Sequence, residues 1–168
     1  MKTTLSIFAL ILFSAFGVSA QKSAGGKVDP TKGVHDAFDR LIEGIKQVDA
    51  AKVMDAYENS PRLMVFNNNG TTTIGWESVN TNVRLAYSKI SNVTIDISGL
   101  QISMLGNNGA YVFCRWKQTQ ENEGKLEDAS GRMTLVYKLV GKDWKITHRH
   151  TSPDNPAASR PVFPSERQ

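Results

Sequence analysis

The chain has 168 residues, 40% of them apolar, and a net charge of +4. This length fits one domain with an adequate core, and the interspersed charges contain no basic run with interleaved aromatics, which argues against nucleic-acid binding. The single cysteine, Cys114, excludes an internal disulfide, and its place in an apolar strand predicts a buried, inert thiol.

The amino terminus has the pattern of an export signal. Lys2 precedes an apolar run over residues 5–16, and small residues at positions 18 and 20 form a signal-peptidase pattern. We predict that residues 1–20 are a cleaved signal peptide, with an uncleaved anchor as the alternative, because the run is too short to span a bilayer as a stable helix. The mature protein is then secreted or periplasmic, without membrane association, and residues 21–33 form a flexible leader.

Three helices and two short strands are predicted next. Apolar residues at helical spacing indicate an amphipathic helix from Val34, and Asp49 can cap a second, shorter helix. The sequence Asn-Asn-Asn-Gly at residues 67–70 predicts a tight turn between two short strands. A third helix covers residues 76–89.

The remainder alternates as strands do. Two alternating runs meet out of phase at Ser98-Gly99, which predicts a β-bulge and a bent strand. Strands at residues 110–120 and 131–140 flank a charged loop at 121–128, and a hairpin turn leads into the last strand at 143–153. Helices followed by long antiparallel strands predict an α+β domain in which the bent sheet and the helices enclose a conical cavity.

The last strand, with the sequence DWKITHRHTSP, carries two of the three histidines of the chain. Regular alternation would place Trp144, Ile146, His148 and His150 on one face, which we predict to enter the core and line the cavity. Lys145, Thr147, Arg149 and Thr151 would then lie on the opposite face, toward solvent or an interface.

Three segments resemble a known family. They are residues 75–79 (GWESV), 130–137 (SGRMTLVY) and the last strand, residues 143–153. The chain resembles the nuclear transport factor 2-like superfamily in its SnoaL-like branch, and is similar to the association domain of the calcium/calmodulin-dependent kinase. The resemblance covers residues 34–153. It implies a cone-shaped, cystatin-like fold with three N-terminal helices packed on a strongly bent, mostly antiparallel sheet, followed by a Pro-rich tail at 154–168.

The resemblance extends in outline to ketosteroid isomerases, but their functional residues are missing. The tyrosine position of those enzymes falls near Leu41, and the aspartate position falls at Val65 or Asn67. None of these side chains can serve as a proton donor or base at neutral pH, so this isomerisation is not expected.

His148 and His150 are the candidate catalytic residues. A neutral imidazole accepts and returns protons near neutral pH, so a pair in the cavity could act as general acid and base. The alternative is that both are hydrogen-bonded core residues. Two ligands at His148-x-His150 do not make a metal site, and we predict neither a metal nor a cofactor.

Arg115 and Arg132 are candidate ligand-binding residues. If they face the cone, each offers a planar fork for a carboxylate or a phosphate. The resemblance to the kinase association domain, whose cavity is lined by arginines, implies an anionic ligand. The alternative is a pair of surface arginines bonded across strands. Asn69 and Asn92 begin glycosylation sequons.

Five aromatic residues complete the candidate ligand-binding set, with plain core packing as the alternative. They are Tyr57, Phe66, Trp76, Tyr87 and Trp116. The sequence therefore supports three hypotheses. The first is a secreted domain that binds a small organic molecule, either neutral or anionic. The second is a lyase or isomerase that uses a histidine of the pocket, and the third is a homodimeric structural module that associates through the outer face of its sheet.

Overall fold

A computed structural model describes residues 29–155 of the protein, which form three helices and six strands. The helices are α1 (Lys32–Lys46), α2 (Ala50–Asp55) and α3 (Trp76–Tyr87). The strands are β1 (Met64–Phe66), β2 (Thr72–Ile74), β3 (Ile90–Leu105), β4 (Gly109–Asn122), β5 (Lys125–Val140) and β6 (Asp143–Pro153). The predicted signal peptide, most of the leader and most of the tail lie outside the described residues.

The strands form one sheet in the order β2-β1-β6-β5-β4-β3. All neighbouring strands pair antiparallel except β1 and β6, which are parallel. The helices pack on one face of this sheet, and we call that face the inner face. Within residues 29–155, each helix is too short or too polar to cross a bilayer.

The predicted β-bulge in β3 is confirmed. Ser98 pairs with Arg115 but Gln101 pairs with Phe113, so β3 holds one extra residue there. Gly99 adopts φ +60°, which a residue without Cβ tolerates without strain. The bulge bends the strand, and the sheet curls over the helices.

The predicted charged loop at residues 121–128 is wrong. Strands β4 and β5 continue to Asn122 and from Lys125, and only Glu123 and Gly124 form the turn, both at positive φ. Residues 123–128 are exposed on both faces of the hairpin, and polar residues there do not interrupt the strands.

The core lies between the helices and the inner face. Phe38 and Leu41 of α1 pack with Leu135 and Tyr137 of β5, and all four are at most 2% exposed. Cys114 is a buried free thiol, as predicted, and burial raises its pKa to about 11. At that pKa the thiol is protonated at neutral pH and therefore a poor nucleophile.

Candidate functional site

Strand β6 contains a further β-bulge, at Thr147. Tyr137 pairs with Ile146 and Val136 pairs with His148, so Thr147 is an extra residue between two pairs. Successive residues of a strand point to opposite faces, and the extra residue shifts this alternation by one. Ile146 and Arg149 consequently share the inner face.

The neighbours of Arg149 confirm its position. It pairs with Val65 of β1 and Leu135 of β5, which are 1% and 0% exposed. His148 and His150 lie on the outer face, where the Phe66 ring packs edge-on against both imidazoles. The predictions that these histidines line the cavity and that Arg149 points to solvent or an interface are wrong, because the bulge reverses the phase of the strand.

A cavity of about 410 Å³ opens between the helices and the inner face. Its apolar wall consists of Leu41, Ile45, Val53, Val65, Val79, Val83, Ala86 and Met133. Its polar lining residues are Tyr57, Asn67, Asn68, Asn69, Thr71, Thr73, Asn82, Tyr87 and Arg149. Pockets for small organic molecules have volumes of about 300–1,000 Å³, so this cavity is large enough for one.

Arg149 is the cationic group of this cavity. Its Nη1 donates to the Tyr57 hydroxyl at 3.1 Å and its Nη2 donates to Asn67 Oδ1 at 3.2 Å. Its Nε is buried and has no protein acceptor among the described residues. Within residues 29–155 no carboxylate forms an ion pair with this guanidinium. A half-buried positive charge therefore faces a cavity with both apolar and polar walls, and no carboxylate among the described residues pairs with it.

Asn67 fixes the guanidinium from the predicted turn between β1 and β2. Its Nδ2 donates to Thr71 Oγ1 at 3.1 Å and to Thr73 Oγ1 at 3.2 Å. These two bonds orient the amide, and its oxygen is left to accept from Arg149. The turn thus holds Arg149 in one orientation before any ligand binds.

The polar side chains that line the cavity are hydrogen-bond donors rather than bases. None of its lining residues within the described part of the chain is Asp, Glu, His, Lys or Cys. Burial raises the pKa of the Tyr87 phenol, the nearby Tyr57 adds to this, and Arg149 acts against it. Tyr87 therefore stays protonated at neutral pH, and the arrangement is better suited to holding an acceptor than to removing a proton.

A smaller cavity of about 180 Å³ adjoins the first. Both are lined by Ile45, Asn67, Asn68, Met133 and Arg149. Trp116 and Gln118 of β4 close the smaller cavity on its other side. Arg149 thus lies where the two cavities meet.

The predicted arginines lie away from both cavities. Arg115 and Arg132 pair across β4 and β5 on the outer face. Asp154 accepts from Arg115 Nη2 at 3.1 Å and lies 3.9 Å from Arg132 Nε. Both arginines are therefore surface residues, as in the alternative prediction. The prediction that they face the cone is wrong, because the alternation of β4 and β5 places both side chains on the outer face.

The predicted aromatics divide between the cavity, the core and the outer face. Tyr57 and Tyr87 line the larger cavity, and Trp116 lines the smaller one. Trp76 packs against the core, and its Nε1 donates to the Met54 carbonyl at 3.3 Å. Phe66 lies on the outer face with the histidines.

Arg149 and Asn67 are site residues that the sequence pattern does not predict. The Asn-rich turn is evident in the sequence, but regular alternation places Arg149 on the outer face. Within residues 29–155, no three His, Cys, Asp or Glu side chains come together in a way that could hold a metal ion.

Solved structures resemble this one in fold. A nuclear transport factor 2-like protein from Salmonella enterica is 20% identical, with a TM-score of 0.67, covering 78% of this chain and 94% of its own. A Xanthomonas campestris protein named for the calcium/calmodulin-dependent protein kinase II association domain is 20% identical, with a TM-score of 0.63 and coverages of 74% and 87%. A Streptomyces avermitilis protein of the same superfamily, named as a dehydratase, is 16% identical, with a TM-score of 0.67 and coverages of 74% and 96%.

These likenesses confirm the predicted cystatin-like, nuclear transport factor 2-like α+β fold. Among curated proteins there is no match. The SnoaL-like domain family matches residues 34–156, most of the chain, and includes the strand that carries Arg149. The protein belongs to the SnoaL-like domain family.

Proposed function

We propose that the protein binds a small organic anion in the cavity between its helices and its sheet. The apolar body of the ligand lies against α1, α3 and Met133, and its acidic group meets Arg149. The observation that carries this proposal is the half-buried guanidinium of Arg149, which has no carboxylate partner among residues 29–155. A carboxylate-bearing ligand supplies the missing charge.

The geometry supports a preorganised binding site. Tyr57 and Asn67 already hold the guanidinium, so binding does not require it to be ordered. A hydrogen bond to a charged group contributes about 1.5–3 kcal/mol, so loss of the charge should weaken binding roughly 10- to 150-fold.

The test compares 3-hydroxy-2-naphthoate with its neutral counterpart, 3-hydroxy-2-naphthamide, by isothermal titration calorimetry at fixed ionic strength. The two molecules have the same shape and differ in charge. We expect the protein to bind the carboxylate at least about tenfold more tightly than the amide, and Arg149→Gln to remove this preference.

Arg115→Gln is the matched control, because it removes an arginine from the outer face of the same sheet. It should leave the preference for the carboxylate intact. Equal affinity of the unmodified protein for both compounds, or an undiminished preference in Arg149→Gln, would contradict the proposal.

The geometry gives no support to a lyase or isomerase that uses a histidine of this cavity. His148 and His150 lie on the other face of the sheet, and the cavity lining within residues 29–155 contains no histidine. A reaction in this cavity would depend on Arg149 and the two tyrosines as donors, because no Asp, Glu, His, Lys or Cys of the described residues lines it.

A homodimer is the second candidate function, and a different surface supports it. Lys145 Nζ bonds to Asp55 Oδ1 at 3.1 Å, so this residue is occupied with α2 rather than with a partner. The outer face instead presents Phe66 and Phe113, 36% and 38% exposed, and the Phe113 ring stacks on Tyr111. We propose that the protein self-associates through these aromatics. The variant Phe113→Lys should then be a monomer in sedimentation velocity. A dimer that persists in this variant would exclude this surface.

A further inference from the structure

A third space, of about 590 Å³, continues from the cavities along the inner face of the long β4–β5 hairpin. We call this space the trough. It is lined by Asn68, Trp116, Gln118, Gln120, Glu127, Asp128 and Ala129. Trp116 and Gln118 also line the smaller cavity, so the trough begins where that cavity ends.

The trough contains a ladder of hydrogen-bonded planar side chains. Gln118 Nε2 donates to Gln120 Oε1 at 2.8 Å, and Gln120 Nε2 donates to Glu127 Oε2 at 3.1 Å. Asn122 Nδ2 donates to the second oxygen of Glu127, Oε1, at 3.1 Å. The alternate residues of β4 and the facing residue of β5 are thus fixed in orientation before any ligand binds.

Trp116, at the start of the trough, carries an unused polar atom. Its Nε1 is a donor that is buried and has no protein partner within residues 29–155. The amides of Gln118 and Gln120 each retain a further donor hydrogen, and the Gln118 carbonyl and the Glu127 carboxylate retain lone pairs that can accept. The trough therefore offers both donors and acceptors beside an indole.

This chemistry matches a hydroxylated ring. Each hydroxyl of a pyranose both donates and accepts, so adjacent hydroxyls pair well with alternating amide and carboxylate groups. The carbon–hydrogen face of the ring packs on an aromatic side chain such as Trp116. An apolar group would leave the glutamine amides without hydrogen-bond partners, and a purely anionic group would be repelled by the Glu127 carboxylate.

We infer that the trough binds a sugar, or a similar cyclic polyol, that is attached to the anionic ligand. The inference rests on the proposed function, because the aglycone lies in the larger cavity with its acid at Arg149. The ligand class is then a glycosylated aromatic or polycyclic acid. Its sugar reaches from the smaller cavity over Trp116 into the ladder.

The experiment uses 3-hydroxy-2-naphthoate and its 3-O-β-D-glucopyranoside as the probes. We expect the unmodified protein to bind the glucoside at least fivefold more tightly than the free acid, and to transfer saturation to the sugar protons in NMR. Gln120→Leu removes the centre of the ladder and should abolish the fivefold gain. Thr119→Val alters the next residue of the same strand, on the outer face, and should preserve it.

The two proposals fail separately. If the free acid binds through Arg149 but the glucoside gains nothing, the trough inference is overturned and the proposed function stands. A gain that survives Gln120→Leu also overturns the inference. If the glucoside binds with a gain that Gln120→Leu removes while Arg149→Gln has no effect on either probe, the trough stands and the anion site is overturned.

Discussion

Arg149→Met should show that this arginine serves binding rather than folding. Methionine fills a similar length with apolar atoms and carries no charge. Arg149 is half-buried, has no carboxylate partner among the described residues and keeps a buried Nε without an acceptor. Its removal therefore relieves a cost that the folded protein carries in the absence of ligand.

The magnitude follows from the contacts of Arg149. Its two hydrogen bonds, to Tyr57 at 3.1 Å and to Asn67 at 3.2 Å, are both lost. At about 1 kcal/mol each, their loss lowers the free energy of unfolding by about 2 kcal/mol. Removal of the Nε that lacks an acceptor raises the free energy of unfolding by about 1–3 kcal/mol, and removal of the desolvated charge raises it further. We expect the net free energy of unfolding to stay constant or to rise by about 1 kcal/mol.

Urea denaturation followed by circular dichroism measures this difference. Arg115→Met is the matched control, because the Arg115 side chain is 63% exposed and its guanidinium is paired with Asp154. Exposed ion pairs contribute about 0.2–1 kcal/mol, so this control should be slightly destabilised, and less so at high salt. A net loss of about 1 kcal/mol or more in Arg149→Met would refute the reasoning, since it would mean that the two hydrogen bonds outweigh the cost of the charge without a carboxylate partner.

Three further predictions concern other parts of the fold. His148→Ala and His150→Ala should each change the affinity for 3-hydroxy-2-naphthoate by less than about twofold, by calorimetry, because both side chains lie on the outer face; a tenfold loss would contradict the placement of β6. Gly131→Ala should lower the free energy of unfolding by about 1–3 kcal/mol in urea titrations, because a Cβ there would collide with the Ser152 carbonyl oxygen. An unchanged urea midpoint would show that β5 and β6 can separate to admit the Cβ. Burial raises the pKa of the Cys114 thiol to about 11, above the value of about 8.5 for an unfolded thiol, so the free energy of unfolding should decrease as the pH rises from about 8.5 to 11. Cys114→Ala is the control and should lack this decrease. A thiol reagent should label the folded protein only slowly at pH 8, and rapid labelling would contradict the burial of the thiol.

Features that depend on local sequence were predicted correctly. The helix from Val34 follows from its apolar spacing, and the turn at residues 67–70 follows from residues that tolerate positive φ. The bulge near Gly99 was visible because strongly apolar residues flank it and change phase across it. These signals come from burial on one face, which the sequence records directly.

The bulge in β6 left no such signal. Ile146 lies before it, but the residues after it are polar or charged on both faces. Without an apolar residue after Thr147 to fix the phase, regular alternation was the simplest hypothesis, and it placed every later side chain on the wrong face. The same absence of apolar contrast at the end of the β4–β5 hairpin produced the erroneous loop at residues 121–128.

The position of this bulge determines what chemistry the cavity can support. With regular alternation after Ile146, two imidazoles would enter the cavity, and imidazoles are the side chains best suited to proton transfer near neutral pH. With Thr147 inserted, one guanidinium enters instead, and a guanidinium does not release its proton at physiological pH. It can only orient and neutralise an acceptor. A single extra strand residue thus favours recognition over acid–base catalysis. Arg149, which has no carboxylate partner among residues 29–155, and the hydrogen-bonded ladder beyond it both agree with the proposed binding function.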